Sequence, residues 1–168
     1  LNSLLYQTEA TLLKMYRQLK NDPKAYDMEV RMERRKQAMF KYCWNEEKGY
    51  FFDYDFVEGK QSENLNLAGV YPLFVNMATP QRAFAVAEVL EKELLKAGGL
   101  VVSTENSGKV YDAPNGLPGL HWVAINGLEN FGKPELADEI RQKWMNTVRL
   151  GQKETGKLYG FYDVIHQK

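Results

Sequence analysis

Cysteine is nearly absent from this chain. Of its 168 residues only Cys43 carries a thiol, so no disulfide can form within it. Its place between Tyr42 and Trp44 points to a buried thiol rather than a nucleophile. Histidine is almost as scarce, with His121 and His166 alone, and no third ligand of suitable type stands at a recognisable spacing. No metal site is therefore expected, and His121, at a helix start, is expected to hydrogen-bond locally. Net charge is missing as well, because 22 basic and 22 acidic side chains cancel. Nothing here points to a nucleic-acid or membrane surface, which requires a sustained cationic face. Long apolar runs are also lacking: stretches such as Ala83 to Ala87 are far too short to span a bilayer. The N-terminus has no basic region leading into an apolar one, so no signal peptide is expected. Leu1 is not methionine and Leu4-Leu5-Tyr6 already has a mid-helix character, so both ends are expected to be cuts. Nothing in the sequence gives a compartment.

What is present is an ordinary globular composition, 44% hydrophobic and 26% charged, in a length that suits one domain over residues 1–168. The dominant period is helical. Leu5, Leu12, Tyr16 and Leu19, with Leu4, Thr8 and Met15 nearby, form a stripe that predicts a first helix over about 1–19. Asn21-Asp22-Pro23 stops it and opens a second, with Asp22 as cap, running to about Cys43. Gly49 marks a tight turn, and Tyr50 to Phe56 reads as an aromatic, extended hairpin-like segment. A short third helix is expected over about 67–77. Thr79-Pro80 starts a fourth, to Leu95, turning Phe84, Val86, Ala87, Leu90 and Leu94 to the core. After Gly98-Gly99 an extended run, Leu100 to Val102, enters a long polar loop, Ser103 to Gly119. A fifth helix over about 120–131 and a sixth from Pro134 to Gly151 close the pattern, followed by an irregular tail. The six methionines, Met15, Met28, Met32, Met39, Met77 and Met145, read as core filling. Helical hairpins in sequence, without a repeat of fixed period, predict an all-α toroid or solenoid outside the regular repeat families.

The Ser103–Gly119 loop is long enough to suggest function. It contains Asp112-Ala113-Pro114-Asn115-Gly116-Leu117-Pro118-Gly119, stiffened by two prolines and bent at two glycines. A carboxylate and an amide beside such a turn can hydrogen-bond sugar hydroxyls. They can equally tie the turn to its own backbone. The Asp53/Asp55 pair in the aromatic segment has two readings of the same kind. On an extended strand they share a side and could raise one another's pKa, or they could cap turns. Glu105 is a third isolated candidate.

Val110-Tyr111-Asp112-Ala113-Pro114-Asn115-Gly116-Leu117-Pro118 resembles the trehalase signature Gln-Trp-Asp-x-Pro-x-Gly-Trp-Pro/Ala-Pro and the Leu-Gln-Trp helix start that follows it. Asp112, Pro114, Gly116, Pro118, Leu120 and Trp122 match. Trp44 to Phe56, Pro72-Leu73-Phe74, Gly98-Gly99-Leu100 and Tyr162-Asp163-Val164 resemble further family segments in the expected order, so the similarity covers essentially the whole chain. It implies about half of an (α/α)6 toroid with a short aromatic β-hairpin-like segment, from an enzyme that hydrolyses α,α-trehalose to glucose with inversion. It implies no cofactor. It also implies a sugar-binding set at Tyr111, Asp112, Asn115 and Gly116. Inversion needs an acid and a base that usually stand ~6.5–9.5 Å apart. The family's acid lies in a Gly-Trp-Asp context and its base in a Gly-Glu-Tyr context, and these residues contain neither. No catalytic residue is therefore assigned within the chain.

The chain departs from the signature at Val110, Tyr111, Leu117 and Gly119, and His121 stands in place of the helix-start glutamine. Leu117 cannot stack on a sugar ring as an indole does; Tyr111 can in part. Three readings follow: a segment of a trehalase-like glycosidase that is inactive alone, a non-catalytic toroid remnant with weak sugar binding, or a helical interaction protein of chance similarity. Half a toroid leaves helix faces without neighbours, so a self-associating or marginally stable species is expected.

Overall fold

The structure is a computed structural model and describes residues 1–166. Helix α1 (Asn2–Gln18) and α2 (Asp22–Ala38) form an antiparallel hairpin, held at one end by Arg35 to Asn2 and Glu9 and at the other by Arg17 to Glu29. The cap of α2 is Asn21, one residue before the expected Asp22: its Oδ1 accepts from the Lys24 amide at 3.3 Å. A π-turn (Met39–Cys43) extends α2 to the expected end. The stripe expected on α1 is only partly buried. Leu13 is the buried leucine, packed with Ala25 and Met28, while Leu19 is 74% exposed.

Two small antiparallel hairpins follow. Strands β1 (Trp44–Asn45) and β2 (Tyr50–Phe51) turn at Gly49, whose φ of +61° favours glycine. Strands β3 (Tyr54–Asp55) and β4 (Lys60–Gln61) make the second. A 3₁₀ turn (Leu67–Val70), capped by Asn66 through the Ala68 amide, leads into α3 (Tyr71–Phe74). The expected third helix is thus present as two short pieces.

Thr79 caps α4 (Pro80–Val89) by accepting from the Arg82 amide, as the Thr-Pro pair predicts. A π-turn (Leu90–Leu94) carries it to β5 (Leu95–Lys96), which pairs with β6 (Gly99–Leu100). Val86, Ala87, Leu90 and Leu94 are buried, but Phe84 is 46% exposed with Lys133 Nζ 4.1 Å from its ring centre. One apolar residue of the helix therefore faces outward, where a cation covers it.

Helix α5 (Pro118–Asn130) begins two residues before the expected start. Helix α6 (Pro134–Thr155) does not stop at Gly151 but runs one turn further, to Gly156 in the left-handed conformation. Gly151 meets a packing need instead, since a Cβ there would come within 2.7 Å of the Tyr162 ring. The tail is not wholly irregular either: β8 (Tyr162–Asp163) pairs with β7 (Asn115–Gly116). Met15 and Met145 are more than half exposed, so the methionines are not uniformly core.

One large cluster unites the β1–β2 and β5–β6 hairpins with α3 to α6. Tyr50, Leu67, Leu73, Leu90, Leu94, Leu100, Leu128 and Ile140 are almost completely buried in it. Close backbone approach fixes the α3–α5 contact: a Cβ at Gly127 would lie 3.0 Å from the Phe74 amide. Among the described residues, no helix is long and apolar enough to cross a membrane.

Candidate sugar-binding site

Irregular backbone hydrogen bonds stitch the loops together at one end of the helices. Leu67 N donates to Val102 O, Val102 N to Asn115 O, Thr104 N to Leu65 O and Val164 N to Pro114 O, all within 3.0 Å. Asn66 bridges to Ser103. The starts of the 3₁₀ turn and of α5 therefore share an end of the molecule. Leu1 and the first residues of α1, Asn2 to Leu4, join them, because they line the same cleft of about 790 Å³ as Asn66, Ala68 and Gly69. Tyr54 and Phe56 of the second hairpin form another wall, with Arg35 of α2 at the edge.

The loop that carries the signature residues is pinned by its own polar groups. Asp112 Oδ1 accepts from Ser103 Oγ at 3.3 Å; Oδ2 accepts from the Ser107 amide at 3.3 Å and from the Ser107 hydroxyl. The Ser107 hydroxyl bond, ahead of a smaller opposing effect of burial, holds the Asp112 carboxyl below its ordinary range. Asn115 Nδ2 donates to Lys109 O at 3.3 Å, and Asn115 N to Asp112 O at 2.9 Å. Ala113 N donates to Glu105 O at 2.7 Å, and the Ala113–Pro114 peptide is cis.

Tyr111 projects outward, 71% exposed, with Asp112 and Asn115 half-buried beside it. Gly116 lies beneath them. A Cβ there would stand 2.6 Å from Val164 Cγ1, 2.8 Å from Leu100 O and 2.9 Å from His121 Cε1, so no larger residue fits. The local bonds expected of Asp112 and Asn115 are present, yet each retains unused capacity. A carboxylate offers about four lone-pair sites, and three of those on Asp112 are taken.

The other carboxylates are dispersed. Asp55 Oδ1 accepts from the Val57 and Glu58 amides at 2.8 and 3.0 Å, the turn-capping role. Asp53 lines the cleft beside Cys43, and burial first, with the Asp53 charge second, pushes that thiol's pKa up. Glu105 enters the loop through its backbone. Among the described residues, no group of three or more His, Cys, Asp or Glu is placed to hold a metal ion.

Several supporting residues were not singled out from sequence. Ser103 and Ser107 hold Asp112. Asn66 caps the 3₁₀ turn and accepts from the buried Tyr50 hydroxyl at 3.0 Å; its place before an apolar run is a cap signal. Tyr162 and Asp163 pair with Asn115 and Gly116 from a distance in sequence that no local pattern reveals.

Antiparallel helical hairpins whose connecting loops gather at one end, beside a cleft, are those of a helical-toroid architecture. The Trehalase family profile matches residues 1–168, and the chain belongs to the trehalase family. It is 37% identical over 164 residues to a periplasmic trehalase of Salmonella paratyphi B, covering 98% of this chain and 29% of that protein. Its structure is similar to that of neutral trehalase Nth1 from Saccharomyces cerevisiae, with a TM-score of 0.90 at 24% identity, over 98% of this chain and 33% of that one. A GH63 mannosylglycerate hydrolase from Thermus thermophilus has the same fold over 99% of this chain and 40% of its own, with a TM-score of 0.80 at 22% identity. The expected fold class is thus the observed one, part of a helical toroid with short antiparallel strand pairs. The chain spans less than a third of the curated trehalases it matches.

Proposed function

We propose that this chain is the part of a trehalase-type inverting glycosidase that carries a sugar-facing loop and its helical support. The general acid and base come from the Gly-Trp-Asp and Gly-Glu-Tyr contexts, which its residues do not contain. The observation that carries this reading is a convergence at one end: Ser103, which holds Asp112, bridges to Asn66, and Asn66 lines a cleft of about 790 Å³ with the starts of α1 and the 3₁₀ turn, while Tyr111, Asp112, Asn115 and Gly116 stand outside that lining. Tyr111 offers a ring face to the sugar. Asp112 accepts from a hydroxyl through its remaining lone pair, and Asn115 donates and accepts through its free amide positions. Gly116 completes the set by keeping the base of the loop narrow.

Titration of the isotopically labelled chain with trehalose, followed by amide NMR, tests this reading. Shifts should concentrate in residues 103–116 and 64–68. Tyr111→Ala and Asp112→Asn should each weaken binding about tenfold, the equivalent of ~1.4 kcal/mol. Scattered shifts, or none at high sugar, would remove the sugar-binding reading.

A further inference from the structure

His121 is a polar side chain almost completely enclosed beneath the loop, 1% exposed. The Leu100 amide donates to its Nε2 at 2.8 Å, so that nitrogen carries no proton. The proton must then lie on Nδ1, which stands 2.8 Å from Leu117 O and donates to it. The ring stacks on Trp144 of α6, with centroids 3.9 Å apart and planes at 22°. Two glycines make room for it: a Cβ at Gly99 would lie 2.5 Å from Nε2, and one at Gly116 would lie 2.9 Å from Cε1.

Leu100 and Leu117 are the residues on either side of the 101–116 segment. The imidazole therefore spans the base of the loop, touching the backbone where the chain leaves the core and where it returns. From there Val102 N reaches Asn115 O, and Gly116 pairs with Tyr162.

We propose that His121 is a positioning residue of the sugar-binding loop, a neutral clasp that joins the Leu100 amide to the Leu117 carbonyl and so fixes where Tyr111, Asp112 and Asn115 stand. The sugar part of this rests on the function proposed above; the clasp itself does not. A glutamine, which the trehalase signature has at this place, also combines a donor with an acceptor. An imidazole differs in one respect. Protonation turns Nε2 into a donor facing another donor, so acid opens the clasp.

Burial pushes the His121 pKa down to about 4, against a smaller upward pull from the Leu117 carbonyl. Among the described residues, the packed elements bring no compensating charge to it. From α6 it meets Trp144, and Thr147 beside it binds Gly98 O. From β8 the neighbours are Tyr162 and Val164, and the Asp163 carboxylate is engaged by His166. Lys96 of β5 is half-buried in the hairpin, Lys143 of α6 pairs with Glu139, and Asp112 of the loop is held by Ser103 and Ser107.

Three forms of the 168-residue chain test the clasp: wild type, His121→Gln and His121→Phe, the last keeping the stack on Trp144 without either hydrogen bond. The readouts are the imidazole nitrogen signals, hydrogen exchange of the Leu100 amide, and the resonances of residues 103–116. Wild type should show the Nδ1-protonated ring at pH 7 and a protected Leu100 amide. Protection should fall, and the loop resonances move with it, as pH drops towards 4. The glutamine form should keep the protection and lose the acid step. The phenylalanine form should exchange Leu100 at least about tenfold faster at pH 7 and shift the loop. Were it to fail to fold, the wild-type titration against the glutamine form still decides. An Nε2-protonated ring, or an acid step unchanged in the glutamine form, overturns the proposal. Parallel trehalose titration separates the two claims: if wild type binds no sugar but the amide behaviour holds, the clasp stands and the function proposed above does not.

Discussion

Gly151 lies against the ring of Tyr162, so close that a Cβ at 151 would stand 2.7 Å from Cε1 and 3.3 Å from Cδ1. The ring has no room to yield. It packs edge-on against Trp144 and Tyr159, and its hydroxyl accepts from the Tyr159 amide at 3.0 Å. Gly151→Ala gains about 1 kcal/mol of helix propensity but incurs about 1–3 kcal/mol of overpacking. A net loss of about 1 kcal/mol is expected by denaturant titration, with the Asn115–Asp163 pairing weakened first in hydrogen exchange. A stabilised variant would mean that the tail is not seated as described.

The buried His121 also makes stability depend on pH. Its pKa in the folded chain, about 4, lies below the ordinary value of 6.5, so the unfolded chain binds more protons between those values. The contribution is complete above about pH 6.5 and is lost as pH falls towards 4. It amounts to roughly 3 kcal/mol at most, at about 1.4 kcal/mol per pKa unit. Melting temperatures across this range should fall more steeply for wild type than for His121→Gln. Parallel curves would remove this role.

Arg35 joins α1 to α2 through a two-pronged contact, Nε to Glu9 Oε2 at 3.0 Å and Nη2 to Oε1 at 2.7 Å, with Nη1 on Asn2 Oδ1 at 2.7 Å. Both charged side chains are largely shielded, 24% and 12% exposed, so screening is weaker than at the surface pairs. Arg35→Leu should cost about 1–3 kcal/mol, because Glu9 is left partly buried without a partner. A double-mutant cycle with Glu9→Gln should show coupling. By contrast, breaking Arg31–Asp27, which is more than half exposed, should cost less than about 0.5 kcal/mol.

Leu4, Leu5 and Met15 on α1, with Trp122 on α5, are between 39% and 58% exposed. Apolar surface of this kind favours association. Light scattering should show a mass that rises with concentration, and Leu4→Lys with Met15→Lys should lower it. A monomer at every concentration, with a sharp melt, would contradict this expectation.

The helices were legible because their signals are local. Thr79-Pro80 announces a cap and a first turn, and the spacing of Val86, Leu90 and Leu94 defines a buried face. The local ties of Asp112 and Asn115 were equally readable from residue type. The misread features depend on distant partners. Gly151 looked like a stop because glycine usually ends a helix, whereas its neighbour Tyr162 lies beyond the helix end. A local hydrogen bond is the expectation for His121, and the structure supplies its partner, Leu117; the second bond, to Leu100, spans 21 positions and has no local pattern. The pairing of Asn115–Gly116 with Tyr162–Asp163 is hidden for the same reason.

The most direct test is a glucose-release assay on the purified chain with α,α-trehalose. Because an inverting cut requires an opposed proton donor and water activator, and neither family context occurs in the sequence, release should not exceed that of buffer. Steady turnover, abolished by Asp53→Asn or Asp112→Asn, would contradict the account.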